Sequence, residues 1–520
     1  MRIMLINAPI DCVLEEGHVS PVTQYLFYNS APLGILYIAS MLEKHGHEVS
    51  VIDAAAELLD VESTTVRIQE WEPDVIGIGS FTVTFDTTCR LAQRIKSTMP
   101  KVPIVLGSYH VSLVPDEAMS HPEFDVGVIH EGEFTMLDLV NYFADHAHDD
   151  ISGYPDIEGI VYRRPDESFE TGYELCFTKA RPKFKDLDQL PKPARHLIPK
   201  TTVYKPVPID NHGMPKYSMI TSRGCPHLCA FCQKSRTGYR SHSAKYVVDE
   251  MQELVEVHGA KDIAIVDSLF CANKRRVHEI CDEILARGLE SKLSWTCSSR
   301  VEVVDKPLLT KMKKAGCWRT RFGIESGHDD VLDFISKGIT QDKIRSAITA
   351  ADEVGLRPKA FFMVGHMPDT RETILETIRF AKSIPLHDIT VQINTLLPET
   401  PQLEIWNKEG HKWGRIVSST KNEKSFWEPT FVPWGLEADD LIDLHRQFYR
   451  EFYLRPTVLR KHLGSIHSME DVMKYVEAAS LFTFLFFDVD PEEVTQQVKG
   501  KLPTSIRKPL SGLKKLLVRA

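Results

Sequence analysis

The chain has 520 residues, and at roughly 150 residues per domain this length predicts about three domains. Hydrophobic residues make up 42% of it and charged residues 26%, close to the average of soluble globular proteins, which excludes wholesale disorder and collagen-like structure. The formal net charge of −10 disfavours a protein whose main task is to bind nucleic acid, because such proteins are usually basic.

Neither a membrane span nor a targeting segment is predicted. The nearest approach to an apolar run, residues 478–487, is too short to cross a bilayer. The first residues, MRIMLINAPID, lack the length and flanks of a signal peptide, so we expect a cytoplasmic protein. Ten cysteines are too few for a disulfide scaffold, and in a reducing compartment clustered cysteines indicate metal or redox chemistry.

Residues 1–150 alternate between short apolar runs and amphipathic stretches. Such runs are typical of buried parallel strands, and the stretches between them are typical of crossover helices. We therefore predict a Rossmann-like α/β domain with five parallel strands at residues 3–6, 49–52, 75–78, 104–106 and 126–129. Helices are predicted at residues 33–44, 87–98 and 136–143.

Turn-forming residues follow the strands of this domain, at residues 7–9, 79–82, 107–110 and 131–133. Ligands of such folds bind at the carboxyl ends of the strands, so these loops are the expected site. No G-x-G-x-x-G motif follows the first strand, and a nicotinamide or flavin dinucleotide is therefore not indicated.

Residues 151–215 break the alternation. A hairpin-like piece at residues 159–164 and 174–179 leads into a stretch whose prolines favour extended backbone. We interpret this segment as an interdomain strap.

Alternation resumes over residues 216–400. Six strand candidates lie at residues 217–220, 263–266, 293–297, 319–324, 359–364 and 389–395. With the helical stretches between them they predict a partial (β/α)6 TIM-like barrel, whose chemistry would lie at the C-terminal ends of its strands. Residues 401–520 are predicted to form a helical C-terminal region that ends in a basic tail.

Three cysteines lie on one loop after the first barrel strand, as Cys225-x3-Cys229-x2-Cys232. Three thiolates at this spacing can each bind one iron of a cubane cluster and leave the fourth iron open to a small molecule. A ferredoxin-type centre would need a fourth cysteine, and none of the other seven is close in sequence. The alternative is a structural zinc site formed by the three cysteines with His227.

This loop, with an aromatic residue before its last cysteine, resembles the signature of radical S-adenosylmethionine (SAM) enzymes. The N-terminal half is similar to the cobalamin-binding domain fused to one subclass of them. The similarity covers roughly residues 1–400, in segments that include PDVIGIGSF, PIVLGSYHVSLVPDEAM, DVGVIHEGEFT, SRGCPHLCAFC, RFGIESGHDDVL and MVGHMPDTRET. The resemblance implies a [4Fe–4S] cluster on Cys225, Cys229 and Cys232, SAM on its open iron, and cobalamin between the two domains.

The resemblance also implies which residues contact SAM. Phe231 would lie beside the adenine through its backbone, and Gly365-His366 would let backbone approach the same ring. Arg300 is a candidate to pair with the methionine carboxylate as a bidentate fork, and the alternative is a surface arginine. Glu325 is a candidate acceptor for the ribose or amino group, or a carboxylate at a helix start. Many family members carry, after the second barrel strand, a Gly-Gly-Glu motif that contacts the SAM amino group. This chain lacks the motif and has Asp267 at that place, which makes Asp267 a candidate for the contact.

For cobalamin, the D-x-H-x-x-G motif that supplies a histidine to cobalt is absent, so the lower cobalt face is expected to lack a histidine. We interpret the string Asp210-Asn211-His212-Gly213 as a loop, and His110 as a loop histidine rather than a cobalt ligand. The residues expected around the nucleotide tail of cobalamin lie on three loops of the first domain: Ser80, Thr82, Gly107, Ser108, His110, Glu131 and Gly132.

The function that the resemblance implies is methyl transfer to an unactivated carbon of a small molecule, through a 5′-deoxyadenosyl radical. An electron donor such as flavodoxin or ferredoxin is implied as a partner. Two alternatives stay open: oxidative cyclisation or ring rearrangement on a tetrapyrrole, lipid or other hydrophobic substrate, and a corrinoid- or cluster-binding sensor without turnover.

The C-terminal tail is basic from Lys499 onward and carries apolar residues at helical spacing. A basic amphipathic helix can lie on an anionic membrane surface, and the tail therefore suggests weak membrane association of an enzyme with a hydrophobic substrate. The alternative is a terminal helix that docks on its own protein.

Overall fold

The computed structural model describes residues 1–10, 30–147, 150–199, 206–233, 238–418 and 428–466, with residues 204, 468, 471, 472, 474, 475 and 478. They form one mixed sheet and one parallel sheet, each flanked by helices, and two short antiparallel ribbons. No helix in this part of the chain is long and apolar enough to cross a membrane. The basic tail lies outside the described residues, so its membrane association stays a prediction.

The N-terminal sheet contains the five predicted parallel strands. Their bounds are β1 (Arg2–Asn7), β2 (Glu48–Asp53), β3 (Val75–Gly79), β4 (Ile104–Gly107) and β5 (Val126–Val128). The helices of this domain are Leu33–Lys44, Val61–Trp71, Phe85–Thr98, Tyr109–Leu113, Pro115–Ala118 and Glu133–Asp145. Hydrophobic side chains pack on both faces of the sheet, as in other doubly wound folds.

The sheet has seven strands rather than five, in the order β2-β1-β3-β4-β5-β6-β7. The hairpin of β6 (Ile160–Pro165) and β7 (Tyr173–Phe177) pairs antiparallel with the edge strand β5. We had interpreted this hairpin as part of the interdomain strap. Its first residues are buried, and its pairing covers a sheet edge that would otherwise be open.

The second sheet is the predicted partial barrel, with six parallel strands in the order β15-β14-β13-β12-β11-β8. Their bounds are β8 (Lys216–Met219), β11 (Asp262–Ile265), β12 (Ser294–Ser299), β13 (Cys317–Glu325), β14 (Lys359–Val364) and β15 (Asp388–Ile393). A two-stranded ribbon, β9 (Ser222–Arg223) and β10 (Arg240–Ser241), follows β8. The helices of this domain are Ala244–Glu256, Lys274–Ala286, Lys306–Lys314, Asp329–Phe334, Gln341–Glu353 and Arg371–Ser383.

The C-terminal region contains the helices Pro401–Glu409, Ala438–Tyr453 and Pro456–Leu463. It also contains a ribbon that was not predicted, β16 (Gly414–Ile416) with β17 (Phe431–Pro433). The long helix covers the open edge of the barrel sheet. The hydroxyl of Tyr449 accepts the N–H of Val391 at 2.8 Å, and that of Tyr453 accepts the N–H of Ile389 at 3.2 Å.

Asp210, which lies before β8 in a segment predicted to be a loop, contacts the N-terminal parts of β13 and β14. Its carboxylate accepts hydrogen bonds from Arg319 Nη1 at 2.8 Å and from Arg321 Nη2 at 3.2 Å. Burial raises the pKa of Asp210, but the charges of Arg321, Lys359 and Arg319 outweigh this effect and hold the pKa well below its usual value. The carboxylate therefore stays ionised and ties the loop to the barrel strands.

Candidate functional site

A cleft of about 720 Å³ lies between the carboxyl ends of the strands of the two domains. Asn7, Gly79 and Gly107, each the last residue of its strand, line it from the first domain. Ser222 and Gly224 line it from the second domain, at the base of the cysteine loop. In both fold types ligands bind at the carboxyl ends of the strands, so the expected ligand sites of both domains open into this cleft.

Four of the predicted cobalamin contacts line the cleft: Gly107, Ser108, Glu131 and Gly132. A Cβ atom on Gly107 would have only the carbonyl oxygen of Ile78 within 4 Å, at 4.0 Å, so this part of the wall is bare backbone beside open space. Apolar side chains form much of the remaining wall. A broad cleft with a backbone wall fits the close approach of a large ring such as a corrin.

The other three predicted cobalamin contacts, Ser80, Thr82 and His110, do not line the cleft. Ser80 is fully buried and accepts a hydrogen bond from Thr88 Oγ1 at 3.0 Å. His110 is also fully buried, and its ring stacks on Phe85 with centroids 3.8 Å apart. The loops after β3 and β4 pack on each other, which places the side chains of Ser80 and His110 behind the wall and gives them a role in its shape, whereas Thr82 is half-buried.

His130 lines the cleft and was missed by sequence reasoning. It follows β5 directly, has a positive φ of 67°, and donates its backbone N–H to Ser112 Oγ at 2.8 Å. A loop position directly after a parallel strand was the signal that could have identified it.

The cysteine loop lies over the C-terminal ends of the barrel strands. Cys229 is buried, and Cys225 and Cys232 are half-buried. The N–H of Ala230 donates to the carbonyl of Ile335 at 2.8 Å, and the carbonyl of Ala230 accepts the N–H of Gln402 at 2.9 Å. The loop is therefore held from two sides while its three thiols stay on one segment.

Arg300 contacts the cysteine loop directly. Its Nη1 donates to Cys229 Sγ at 3.0 Å, and its other nitrogens donate to the carboxylate of Glu302 and the carbonyl of Lys337. The expected pairing of Arg300 with a methionine carboxylate stays a prediction; in the structure its guanidinium makes these three bonds, which tie the buried Cys229 to the barrel.

The loop can be compared with the zinc alternative. His227 Nδ1 lies 3.8 Å from Glu302 Oε1. Among the described residues, no three His, Cys, Asp or Glu side chains lie close enough together to hold one metal ion. The donor set consists of three cysteines on one loop with no fourth cysteine close in sequence, and it fits a cubane cluster with one open iron.

Asp267 holds the base of the cysteine loop. Its buried carboxylate accepts the N–H and the hydroxyl of Thr221 and the hydroxyl of Ser222, each at 2.6 Å. We had expected Asp267 beside the SAM amino group, but these three donors come from its own barrel. Burial raises its pKa, although the three hydrogen bonds act in the opposite direction.

The remaining predicted SAM contacts surround one buried spot. Glu325 has a positive φ of 69° and pairs with Lys337, whose Nζ lies 2.7 Å from its Oε1. Lys337 Nζ also lies 5.6 Å from the ring centroid of Phe231. Gly365, with φ +84°, donates its N–H to the carboxylate of Asp369 at 2.9 Å. A side chain would be strained at this glycine.

His366 was expected from sequence to contribute only its backbone, whereas the structure makes its side chain a candidate as well. It is fully buried, its ring centroid lies 5.8 Å from that of Phe231, and neither ring nitrogen has a hydrogen-bond partner. Burial, with a smaller effect of Lys337, lowers its pKa to about 3, so the ring is neutral. A neutral imidazole carries one donor and one acceptor, and buried polar groups rarely stay unpaired, which points to a bound molecule as the partner.

Two family models match the chain. The model of the B12-binding domain matches residues 20–140, and that of the radical SAM superfamily matches residues 219–381. The first match contains three of the loops that line the cleft. The second contains the cysteine loop and four of the six barrel strands, from β11 to β14.

Curated relatives align over most of the chain. An uncharacterized methyltransferase of Pyrococcus horikoshii is 31% identical over 90% of this chain and 95% of its own. The anaerobic magnesium-protoporphyrin IX monomethyl ester cyclase of Cereibacter sphaeroides is 27% identical over 82% of this chain and 67% of its own. The cytidylyl-2-hydroxyethylphosphonate methyltransferase of Streptomyces wedmorensis is 26% identical over 65% and 69%.

Solved structures share the two-domain arrangement. The cobalamin-dependent SAM radical enzyme OxsB, with aqua-cobalamin bound, superposes with a TM-score of 0.69 at 16% identity, over 96% of this chain and 74% of that chain. The radical SAM methyltransferase TsrM of Kitasatospora setae, with cobalamin and a [4Fe–4S] cluster bound, gives 0.65 at 16% identity, over 94% and 99%. At these identities the likeness shows a shared fold.

Proposed function

The chain belongs to the radical SAM enzymes that carry an N-terminal B12-binding domain, and from this premise we propose that it transfers a methyl group to an unactivated carbon of a small molecule. The observation that carries the proposal is the cleft between the two domains. It joins the wall formed by Gly107 and Gly132 to the base of the cysteine loop at Gly224. A methyl carrier and a hydrogen-abstracting centre must both reach one substrate, and such a cleft allows this.

The cofactors of this family are a [4Fe–4S] cluster, SAM and cobalamin. When they are bound, the cluster supplies the electron that cleaves SAM, and cobalamin supplies the methyl group. Cys225, Cys229 and Cys232 would hold the cluster, and Arg300 would donate a hydrogen bond to the sulfur of Cys229. This bond fixes the buried thiolate and offsets part of its charge.

The chain's own residues would bind and orient SAM beside the loop. Phe231, the Glu325–Lys337 pair and Gly365 surround the buried spot, and the neutral ring of His366 offers it one donor and one acceptor. The Arg371–Ser383 helix and the C-terminal helices pack around the barrel and exclude water from this side.

In the other half of the cleft, Gly107, Ser108 and Gly132 would hold cobalamin against backbone, and the buried side chains of Ser80 and His110 would keep the wall in place. The cleft also carries apolar residues, among them Leu5, Ile35 and Val105, against which the bound ring would pack.

A second candidate is oxidative cyclisation of a tetrapyrrole-like molecule. It is favoured by the relatives named as anaerobic magnesium-protoporphyrin IX monomethyl ester cyclases, two of which align with more than four fifths of this chain. Both reactions would use the same cysteine loop and the same cleft, so they differ in the product and not in the site.

The test uses SAM with a deuterated methyl group. Full-length protein, reconstituted anaerobically with iron, sulfide and cobalamin, is incubated with a reductant and with microbial lipid and pigment extracts. Methyl transfer predicts a deuterated product together with 5′-deoxyadenosine and S-adenosylhomocysteine, detected by mass spectrometry. Formation of 5′-deoxyadenosine with an unlabelled, oxidised product would favour cyclisation. Formation of neither would contradict both and favour a sensor without turnover.

A further inference from the structure

The ends of the cysteine loop are brought together by the short ribbon of β9 and β10. Arg223, two residues before Cys225, lies directly opposite Arg240 in this antiparallel pair. Like charges in such a cross-strand position repel each other and open the ribbon unless a counter-charge lies between them. All three cysteines lie between the two strands of this ribbon in the sequence, in the loop that it closes.

The counter-charge comes from the other domain. Glu131, after β5, accepts hydrogen bonds from both terminal nitrogens of Arg240, one of them at 3.1 Å, and lies 3.7 Å from Arg223 Nη1. Glu133, the first residue of the Glu133–Asp145 helix, pairs with Arg223 Nη2 at 2.5 Å. All four side chains are less than one quarter exposed.

Glu131 is the shared partner in this group. Burial raises the pKa of Glu131, but the hydrogen bond from Arg240 and the charges of Arg223, Arg240 and Lys183 outweigh this and lower it. The carboxylate is therefore ionised at neutral pH, between two arginines that would otherwise face each other. The barrel contributes a second link between the two ribbon strands: Arg276 donates to the carbonyls of Thr221 at 2.8 Å and of His242 at 2.7 Å. The N-terminal domain therefore acts on the ribbon through the arginine pair, and the barrel acts on it through Arg276.

We propose that Glu131 is a positioning residue: by neutralising Arg223 and Arg240 across the domain boundary, it closes the base of the cysteine loop and stabilises the bound cluster without touching it. The inference rests on the proposed function, because it concerns the loop that would carry the cluster. It also gives Glu131 a role different from the cobalamin contact expected from sequence.

The test measures cluster retention in full-length protein reconstituted anaerobically. Iron release to a chelator is followed by the loss of the brown absorbance in the wild type, in Glu131→Gln, in Arg240→Gln and in the double variant. Glu131→Gln should release iron roughly fivefold faster, because two like charges then lie opposite each other. The double variant should release iron more slowly than Glu131→Gln, since removing one arginine removes the repulsion and leaves Arg223 with Glu133.

Glu43→Gln is the matched control. Glu43 also pairs across to a residue outside the N-terminal sheet, with its Oε1 2.9 Å from His196 Nε2, but it lies away from the loop and should leave the release rate unchanged.

The inference would be overturned if Glu131→Gln released iron at the wild-type rate. It would also be overturned if the double variant released iron no more slowly than Glu131→Gln. Loss of cobalamin from Glu131→Gln on gel filtration with iron retained would also overturn it, in favour of a cobalamin contact. A wild type that takes up no iron would contradict the proposed function instead, so the two failures are distinguishable.

Discussion

Arg300 Nη1 lies 3.0 Å from Cys229 Sγ, and both side chains are less than one tenth exposed. A hydrogen bond to a cluster sulfur stabilises the reduced, more negative state and therefore raises the reduction potential. We expect Arg300→Met to bind the cluster with a more negative potential, measured by a redox titration followed by electron paramagnetic resonance. The control is Glu302→Gln, which leaves the bond to Cys229 in place; an equal shift in both variants would contradict the role of this bond.

His366→Phe should stabilise the protein without ligand and weaken its binding of SAM. Phenylalanine keeps the ring but removes two buried unpaired nitrogens, each of which costs roughly 1 kcal/mol or more. Urea unfolding should show a higher midpoint, and equilibrium dialysis should show SAM affinity reduced roughly tenfold.

The matched control is His445→Phe. His445 already has a partner, with its Nε2 3.0 Å from the carbonyl oxygen of Val391, so this change should lower stability and leave SAM binding unchanged. Unchanged SAM affinity in His366→Phe would refute the assignment of a ligand to this buried ring.

Gly107→Leu should fold and fail to retain cobalamin. A Cβ at this position meets no protein atom closer than 4.0 Å, so the added side chain should project into the cleft without disturbing the sheet. The measurement is corrinoid absorbance after gel filtration of protein loaded with cobalamin. His110→Ala is the comparison, since this side chain lies behind the wall, and it should keep substantial corrinoid. Retention by Gly107→Leu would place the cofactor elsewhere.

Asp210→Asn should destabilise the protein at neutral pH by about 3 kcal/mol, because it removes the carboxylate that pairs with Arg321 and Lys359 and one of the two carboxylates that pair with Arg319, the other being Asp388. The folded-state pKa of Asp210 lies below its unfolded value, so its contribution is fully present above the unfolded pKa and is lost as pH falls through the folded one. The difference in unfolding free energy between wild type and variant should therefore shrink below about pH 4. A difference independent of pH would show that the ion pairs are not its cause.

The local patterns of the sequence predict the elements well. The five strands of the first sheet and the six of the barrel are short apolar runs between amphipathic helices, and each forms where it was predicted. The Val61–Trp71 helix was not predicted because it is largely polar and buries only Thr64, Thr65 and Ile68. The hairpin of β6 and β7 was predicted, but its pairing with β5 was not. The strand β5 lies more than thirty residues before β6, and hydrophobic periodicity carries no information on such long-range pairing.

The candidate site follows the same division. The cysteine loop is a local motif, and its position after β8 could be read from the order of the strands. The partners of Arg300, Asp267 and Glu131 could not be predicted from the sequence, because each contact joins segments that lie far apart in the chain and meet only when it folds. From sequence these three residues are expected to contact bound ligands, which stays a prediction; the structure adds the protein groups that contact them.

The most direct test of the account is SAM cleavage by anaerobically reconstituted protein, compared with a variant in which Cys225, Cys229 and Cys232 are all changed to alanine. The account predicts a brown wild type with about four irons per chain that forms 5′-deoxyadenosine from SAM when reduced, and a colourless variant that forms none. Stoichiometric zinc without iron in the wild type, or equal SAM cleavage by both proteins, would contradict it.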